Sequence, residues 1–149
     1  MKITLEQSDS PELEVVIRGD LTDPAIPQMV AAFNRFGGMS KLFLYAEDRE
    51  YIHRVEEIDY FEAQDDRVYA HLGKRTLEVR KKLYELAEGL YAKGFVQISK
   101  GVVVNTASVA SVAAEFSGNY VLHLKDQTRL SLSRKYVKQF RQYILEVAK

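Results

Sequence analysis

The stretch from Gly94 to Thr106, GFVQISKGVVVNT, places a hydroxyl, a cation and a glycine at Ser99-Lys100-Gly101, immediately before the β-branched run Val102-Val103-Val104. The whole stretch reads as one almost unbroken strand, fully buried along its apolar half. A donor-rich corner on such a strand suits gripping a phosphate; the same three residues also suit a polar turn through which the chain enters the core. Catalytic chemistry has no comparable apparatus. His53, His71 and His123 stand far apart in extended segments, without a spacing that would converge them on a metal. The serines lack a nucleophile elbow, and no glycine-rich loop opens a helix to cradle a nucleotide. The carboxylate pairs Glu56-Glu57 and Asp65-Asp66 are adjacent, so a strand would send their members to opposite faces. The chain therefore reads as a non-enzyme with no metal and no cofactor.

The surrounding composition bounds what such a corner could serve. With 149 residues, 46% of them hydrophobic, the chain can bury one full core, alone or with a small N-terminal attachment. It has no cysteine, and Met1 is followed by polar and acidic residues. Both features fit a cytoplasmic protein, and no apolar run approaches the roughly 20 residues that cross a bilayer. The formal net charge of zero conceals a strong asymmetry. Residues 1–66 carry six Lys/Arg against fifteen Asp/Glu, net −9, whereas residues 67–149 carry fifteen against six, net +9. A basic second half is the footprint of a module that meets a polyanion, while two halves attracting each other within one fold would leave the same signature.

Periodicity indicates the elements that must position these residues. Met1–Glu6 and Leu13–Arg18 read as short strands, and Asp23-Pro24 is a helix start, with a capping carboxylate and a proline at the first helical position. Ile26, Met29, Val30, Phe33 and Phe36 continue at helical spacing until Gly37-Gly38, and Leu42–Tyr45 returns to a strand. Residues 1–45 thus read as a small β–α–β attachment, and residues 46–149 as the main domain. In the latter, Val68, Ala70 and Leu72 alternate with Tyr69 and His71 in a hairpin turning at Asp65-Asp66. Leu83, Leu86 and Leu90 mark a helix closed at Lys93-Gly94, and a second hairpin turns near Asp126-Gln127. A final amphipathic helix carries Tyr136, Phe140, Tyr143, Ile144 and Val147 on one stripe. The expected class is mainly β, α+β overall: an antiparallel-sheet domain with short flanking helices.

The order IDYFEA, a basic strand and leucine-rich helix, GFVQISKGVVVN, a hairpin and then LSLSRKYV resembles the LytTR family of bacterial transcription regulators. The resemblance runs from Glu57 to about Ile144. Its most specific parts are F-x-x-I-S-K-x-x-x-V-N over Phe95–Asn105 and Ser-Arg-x-Tyr over Ser133–Tyr136. The short N-terminal piece is similar to that of stand-alone members lacking a receiver domain, which are often encoded beside a small membrane protein. The resemblance implies a mostly antiparallel domain whose loops enter the major groove of DNA, with a minor-groove contact between them. Independently, neither the Leu83–Leu90 nor the Tyr136–Val147 helix has a free basic face for a recognition helix.

Carried over by position, Arg134 matches the family arginine that reaches base edges; a surface arginine there could equally cap a strand and pair with a carboxylate. The tip Gln64-Asp65-Asp66-Arg67 matches the other major-groove loop. Its two acids depart from a phosphate-binding pattern; Asp66 could accept from cytosine N4 or simply form the turn, which makes Arg67 and Gln64 the better contact candidates. Ser99 and Lys100 fall where many members have His-Arg-Ser, so lysine contacts phosphate here without bidentate reading. Asn105 closes the motif, where its amide can serve bases or neighbouring backbone. Lys74, Arg75, Lys135 and Lys138 are supporting phosphate candidates, and each also reads as an ordinary solvated charge. The expected function is a sequence-specific regulator binding duplex DNA as a homodimer. The alternative is a protein-interaction module whose acidic half docks a membrane-bound regulator.

Overall fold

Alternating burial along β1, β4, β5 and β10, and burial on both faces of β6 and β7, build the molecule as layers. The computed structural model describes residues 1–9 and 14–146, with residues 34–38 described by backbone alone. In order, the elements are α1 (Ala25–Gly38), β1 (Lys41–Ala46), β2 (Arg49–Arg54), β3 (Tyr60–Gln64), β4 (Arg67–Leu72), β5 (Arg75–Val79) and α2 (Leu83–Gly89). They continue with β6 (Phe95–Ser99), β7 (Val102–Asn105), β8 (Val109–Ala114), β9 (Tyr120–Leu124), β10 (Arg129–Leu132) and α3 (Arg134–Glu146). Among the described residues the strands form a seven-stranded sheet, β2-β1-β5-β4-β3-β7-β6, and a three-stranded sheet, β10-β9-β8. Every pairing is antiparallel. The architecture is α+β with strands dominant, as the alternation predicts.

Two cores lie on opposite faces of the large sheet. Phe61, Ala70, Leu77, Phe95 and Val103 meet Leu86 of α2 and Leu90 just beyond it in the first. Val96, Ile98 and Val104 meet Leu122 and Leu132 of the small sheet and Phe140 and Tyr143 of α3 in the second. The β6–β7 hairpin is therefore sandwiched, each strand sending side chains both ways. Each fully buried side chain of this size contributes roughly 1.5–3 kcal/mol relative to exposure. The Tyr143 hydroxyl donates to the Tyr91 carbonyl, tying α3 to the turn after α2, and burial raises its pKa above the usual tyrosine value.

Local signals for turns and caps hold. The Asp23 carboxylate accepts from Ala25 N at 2.9 Å, so the expected cap operates at the start of α1. Asp65 takes a left-handed backbone, φ 58°, which aspartate tolerates, and closes the β3–β4 hairpin. The second hairpin turns through Asp126-Gln127 between β9 and β10, where Asp126 Oδ1 accepts from Thr128 N at 3.0 Å. Val147 of the predicted apolar stripe and Leu13 of the second predicted strand lie outside the described residues.

Three expectations are corrected. Met1–Glu6 and the described part of Leu13–Arg18 are not strands; Ile3, Leu5, Val15 and Val16 are exposed. Strand propensity is satisfied only when a neighbour takes the backbone hydrogen bonds, and no described strand does so here. Leu42–Tyr45, expected to complete an N-terminal β–α–β unit, lies in β1 of the large sheet. There Tyr45 pairs with Glu78 of β5, and Leu42 and Leu44 join the first core. The boundary expected at residue 45 consequently falls inside a strand. Finally, Gly94–Thr106 is a hairpin rather than one strand, because Lys100-Gly101 reverses the chain between β6 and β7.

Phe61 is fully buried and lies 5.6 Å from Phe95, ring centre to ring centre. Phe61→Ala is expected to cost about 3–5 kcal/mol by urea unfolding, because it hollows the layer between sheet and α2. A loss under 1 kcal/mol would contradict the packing described.

Candidate nucleic-acid interface

Antiparallel register decides which turns share an end of the sheet. Glu62 of β3 pairs with Val102 of β7, and one residue further on Ala63 N donates to Gly101 O at 2.8 Å. The β3–β4 tip, Gln64–Arg67, therefore abuts the β6–β7 turn at Lys100-Gly101. The third segment arrives from the small sheet. Beyond β10, Ser133 N donates to Ile98 O at 3.0 Å, which fastens the start of α3 along the outer edge of β6 beside that same turn. Two backbone bonds thus bring three segments, distant in sequence, to one end of the molecule.

Arg134 is the first residue of α3 and is exposed. Its backbone N–H donates to Asn119 Oδ1 at 3.4 Å. Its side chain lies over Gly118, where a Cβ would stand 3.5 Å from Arg134 Cδ and where φ is +84°, a backbone suited to glycine. The first turn of α3 holds Arg134 and Lys135 and no acid. Cations at a helix N-terminus oppose the helix dipole, so this arrangement runs against the usual charge placement. It also adds two side-chain cations to the backbone donors of the helix start, a combination that attracts an anion. Lys138, one turn on from Arg134, is exposed as well.

The other tip is electrostatically mixed. Arg67 is 62% exposed in its side chain and pairs with Glu78, Nη1 to Oε2 at 3.2 Å. Gln64 Nε2 donates to Glu62 Oε1 at 2.9 Å, and the same carboxylate oxygen lies 3.2 Å from His71 Nε2. His71 stacks on Tyr60, with ring centres 4.1 Å apart. Ser99 is half-buried at the end of β6, and Lys100 is exposed, with its carbonyl accepting from Gln97 Nε2 at 3.3 Å.

The structure separates the remaining predicted residues from this end. Lys74 and Arg75 lie at the β4–β5 turn, one strand length or roughly 17–20 Å from the tip, and Arg75 sits over the Tyr51 ring at 5.1 Å. Asn105 lies at that opposite end too and is only 4% exposed. Its Nδ2 donates to Ile58 O at 2.9 Å, and its Oδ1 accepts from Ala107 N at 3.0 Å. Beside it Asp59 accepts from Gly73 N at 2.8 Å and from the Ser108 hydroxyl at 2.7 Å. Asn105 is thus a structural clasp, whose amide serves neighbouring backbone, one of the two uses its motif position suggests.

Sequence reasoning passed over Arg80-Lys81-Lys82. Val68 pairs with Val79, so this run leaves β5 beside the Asp65–Arg67 tip, and the two segments line one surface groove. Arg80 lies over the Tyr45 ring at 3.9 Å. The acids of the tip therefore face a basic bank. Three successive cations after a strand were the available signal; only the register shows which end they reach. Among the described residues no cluster of His, Cys, Asp and Glu could hold a metal, and no helix is long and apolar enough to cross a membrane.

The class defined here is an antiparallel α+β domain that gathers cations on turns and a helix start at one end of its sheet. Residues 48–145 match the family model described as the LytTr DNA-binding domain, and the chain belongs to that family. A solved LytTr DNA-binding domain from Bacillus cereus superposes with a TM-score of 0.67 at 20% identity, covering 72% of this chain and 98% of that one. An HTH-type transcriptional regulator of Staphylococcus aureus (strain NCTC 8325) is 25% identical over 117 residues, 78% of this chain and 79% of that protein. The sensory transduction protein LytT of Bacillus subtilis (strain 168) is 24% identical over 111 residues, 74% of this chain; the match spans 46% of LytT. The chain thus carries a DNA-binding domain of the LytTR family, which supports double-stranded DNA as its partner.

Asn105→Ala should lower stability by about 1–3 kcal/mol, since it orphans a buried carbonyl and a backbone N–H, while the folded fraction retains DNA affinity in a filter-binding titration. Loss of affinity at unchanged stability would restore Asn105 to the interface. Glu78→Gln should strengthen DNA binding at low salt, because it frees Arg67 and removes a negative charge from the approach. Weaker binding by that variant would show Glu78 to be a needed support instead.

Proposed function

We propose that this protein regulates transcription by sequence-specific binding to duplex DNA, with the Gln64–Arg67 tip and the Ser133–Lys135 segment reading major grooves. The Lys100-Gly101 turn lies between them and meets the intervening minor groove and its phosphates. The observation that carries this reading is the convergence of the three segments, held by the Ala63–Gly101 and Ser133–Ile98 backbone bonds. Arg134 supplies the base contact. A guanidinium can bond the O6 and N7 of guanine together, and such a pair discriminates by roughly 1–3 kcal/mol. Lys100, Lys135, Lys138 and the Arg80–Lys82 run meet phosphates, which set affinity and register. A regulator of this kind works in the cytoplasm, acts as two copies on paired sites and carries out no catalysis.

The direct test is selection of genomic DNA fragments by the purified protein at about 150 mM salt, which thins non-specific binding, with Arg134→Ala alongside. The expected result is a recurrent motif for the unmodified protein and none, or one degenerate at a guanine, for the variant. Enrichment of no motif by either protein would favour the other reading, in which the acidic first half docks a membrane-bound regulator. Phosphate roles separate by salt dependence. Lys100→Ala should flatten the slope of log affinity against log salt by about 0.9. Lys74→Ala, at the opposite end of the sheet, should leave that slope unchanged.

A further inference from the structure

Among the described residues sixteen large hydrophobic side chains are exposed, and ten of them fall within the first 52 positions. Scattered exposed hydrophobics need no explanation, but a concentration of this kind marks a contact surface. Two parts of that surface have complementary needs. β2 is the outermost strand of the seven-stranded sheet, so one of its backbone edges has no strand partner among the described residues. It pairs with β1 over six unbroken positions, carries no proline and has no register shift, so only its charged residues Arg49, Glu50 and Arg54 guard the edge. On its open face Ile52, 64% exposed, stands opposite Phe43, 54% exposed.

The other part is the segment 14–18, EVVIR. Its three successive β-branched residues favour an extended conformation, yet it takes no place in either sheet, and Val15 and Val16 are 53% and 61% exposed. Charge does not oppose the pairing: residues 14–18 hold one acid and one cation, Glu14 and Arg18, and β2 offers both signs in Arg49, Glu50 and Arg54. An unpaired strand former and an unpaired edge on the same chain make a self-complementary surface, which a reciprocal exchange between two copies closes without leaving either exposed.

We infer that residues 14–18 of one copy add as an extra strand to β2 of a second copy, and reciprocally, with Val15 or Val16 covering Ile52 and Phe43. The pairing is strand addition: main-chain hydrogen bonds supply attachment, and alternate side chains fix register. This inference rests on the two-copy part of the proposed function and is independent of how DNA is read.

The chain contains no cysteine, so introduced ones report position cleanly. Ile52→Cys protein would be mixed, without DNA, with tagged Val15→Cys protein and separately with tagged Val16→Cys protein, one for each face of the added strand. Sedimentation equilibrium would be run on the unmodified chain and on the double variant Val15→Asp/Val16→Asp. The expected results are twice the chain mass for the unmodified protein and a mixed disulfide between Ile52→Cys and one of the two partners. The double variant should sediment as a monomer with an unchanged melting curve for the sheet. A unmodified chain that is monomeric throughout would overturn the inference. So would a dimer that survives the double substitution and forms no mixed disulfide, or a Val16→Cys/Ile52→Cys chain that links only within itself. Failure to enrich a DNA motif with the dimer intact would sink the DNA reading alone.

Discussion

The β6–β7 hairpin is the constraint from which the rest of the molecule takes its geometry. Val103 turns into the core beneath α2, while Val104 turns into the core shared with the small sheet and α3. A strand pair buried on both faces tolerates neither a slip of register nor a tilt, because a one-residue shift would exchange the occupants of two cores at once. The Lys100-Gly101 turn is therefore fixed as firmly as the cores themselves. From it hang the two backbone bonds that define the interface, Ala63 to Gly101 on one side and Ser133 to Ile98 on the other. The side chains of the three converging segments thus reach the surface from turns whose positions the cores fix.

Electrostatics at this end works by opposition. Arg134 and Lys135 occupy a helix start that would favour acids, and Arg67 is held by Glu78 in the absence of DNA. Such placements give up local stability for a field that a phosphate completes. Asp65 and Asp66, which repel phosphate, share a groove with Arg67, Arg80, Lys81 and Lys82. Acids and cations thus lie side by side in one groove. Zero net charge for the whole chain is compatible with DNA binding, because cations gathered at one place can meet phosphates whatever the total.

Much of this fold was legible from the residues. Alternation in Val68, Ala70 and Leu72, the Asp65-Asp66 and Asp126-Gln127 turns, and the Asp23 cap are local signals, and all are realised. What was illegible depends on partners distant in sequence. Gly94–Thr106 read as one strand because burial on both faces erases the alternation by which a hairpin is recognised. Met1–Glu6 and residues 14–18 carried strand propensity with no neighbour among the described residues to realise it. Within the candidate site, the linear sequence could not distinguish Lys74 and Arg75 from Arg80–Lys82, five residues further on. One strand of antiparallel pairing sends them to opposite ends. Asn105 shows the same limit: its motif position was visible, but its clasp on Ile58 and Ala107 requires the tertiary fold.

The central claim is that one end of the sheet, assembled by the β6–β7 turn, is the DNA-binding surface. Amide hydrogen exchange measured with and without duplex carrying the selected site tests it most directly. The account predicts slowed exchange at residues 64–67, 80–82, 99–101 and 133–135, with residues 73–75 and 105–108 unchanged. Protection at 73–75 and 105–108, with the four converging segments unaffected, would contradict it.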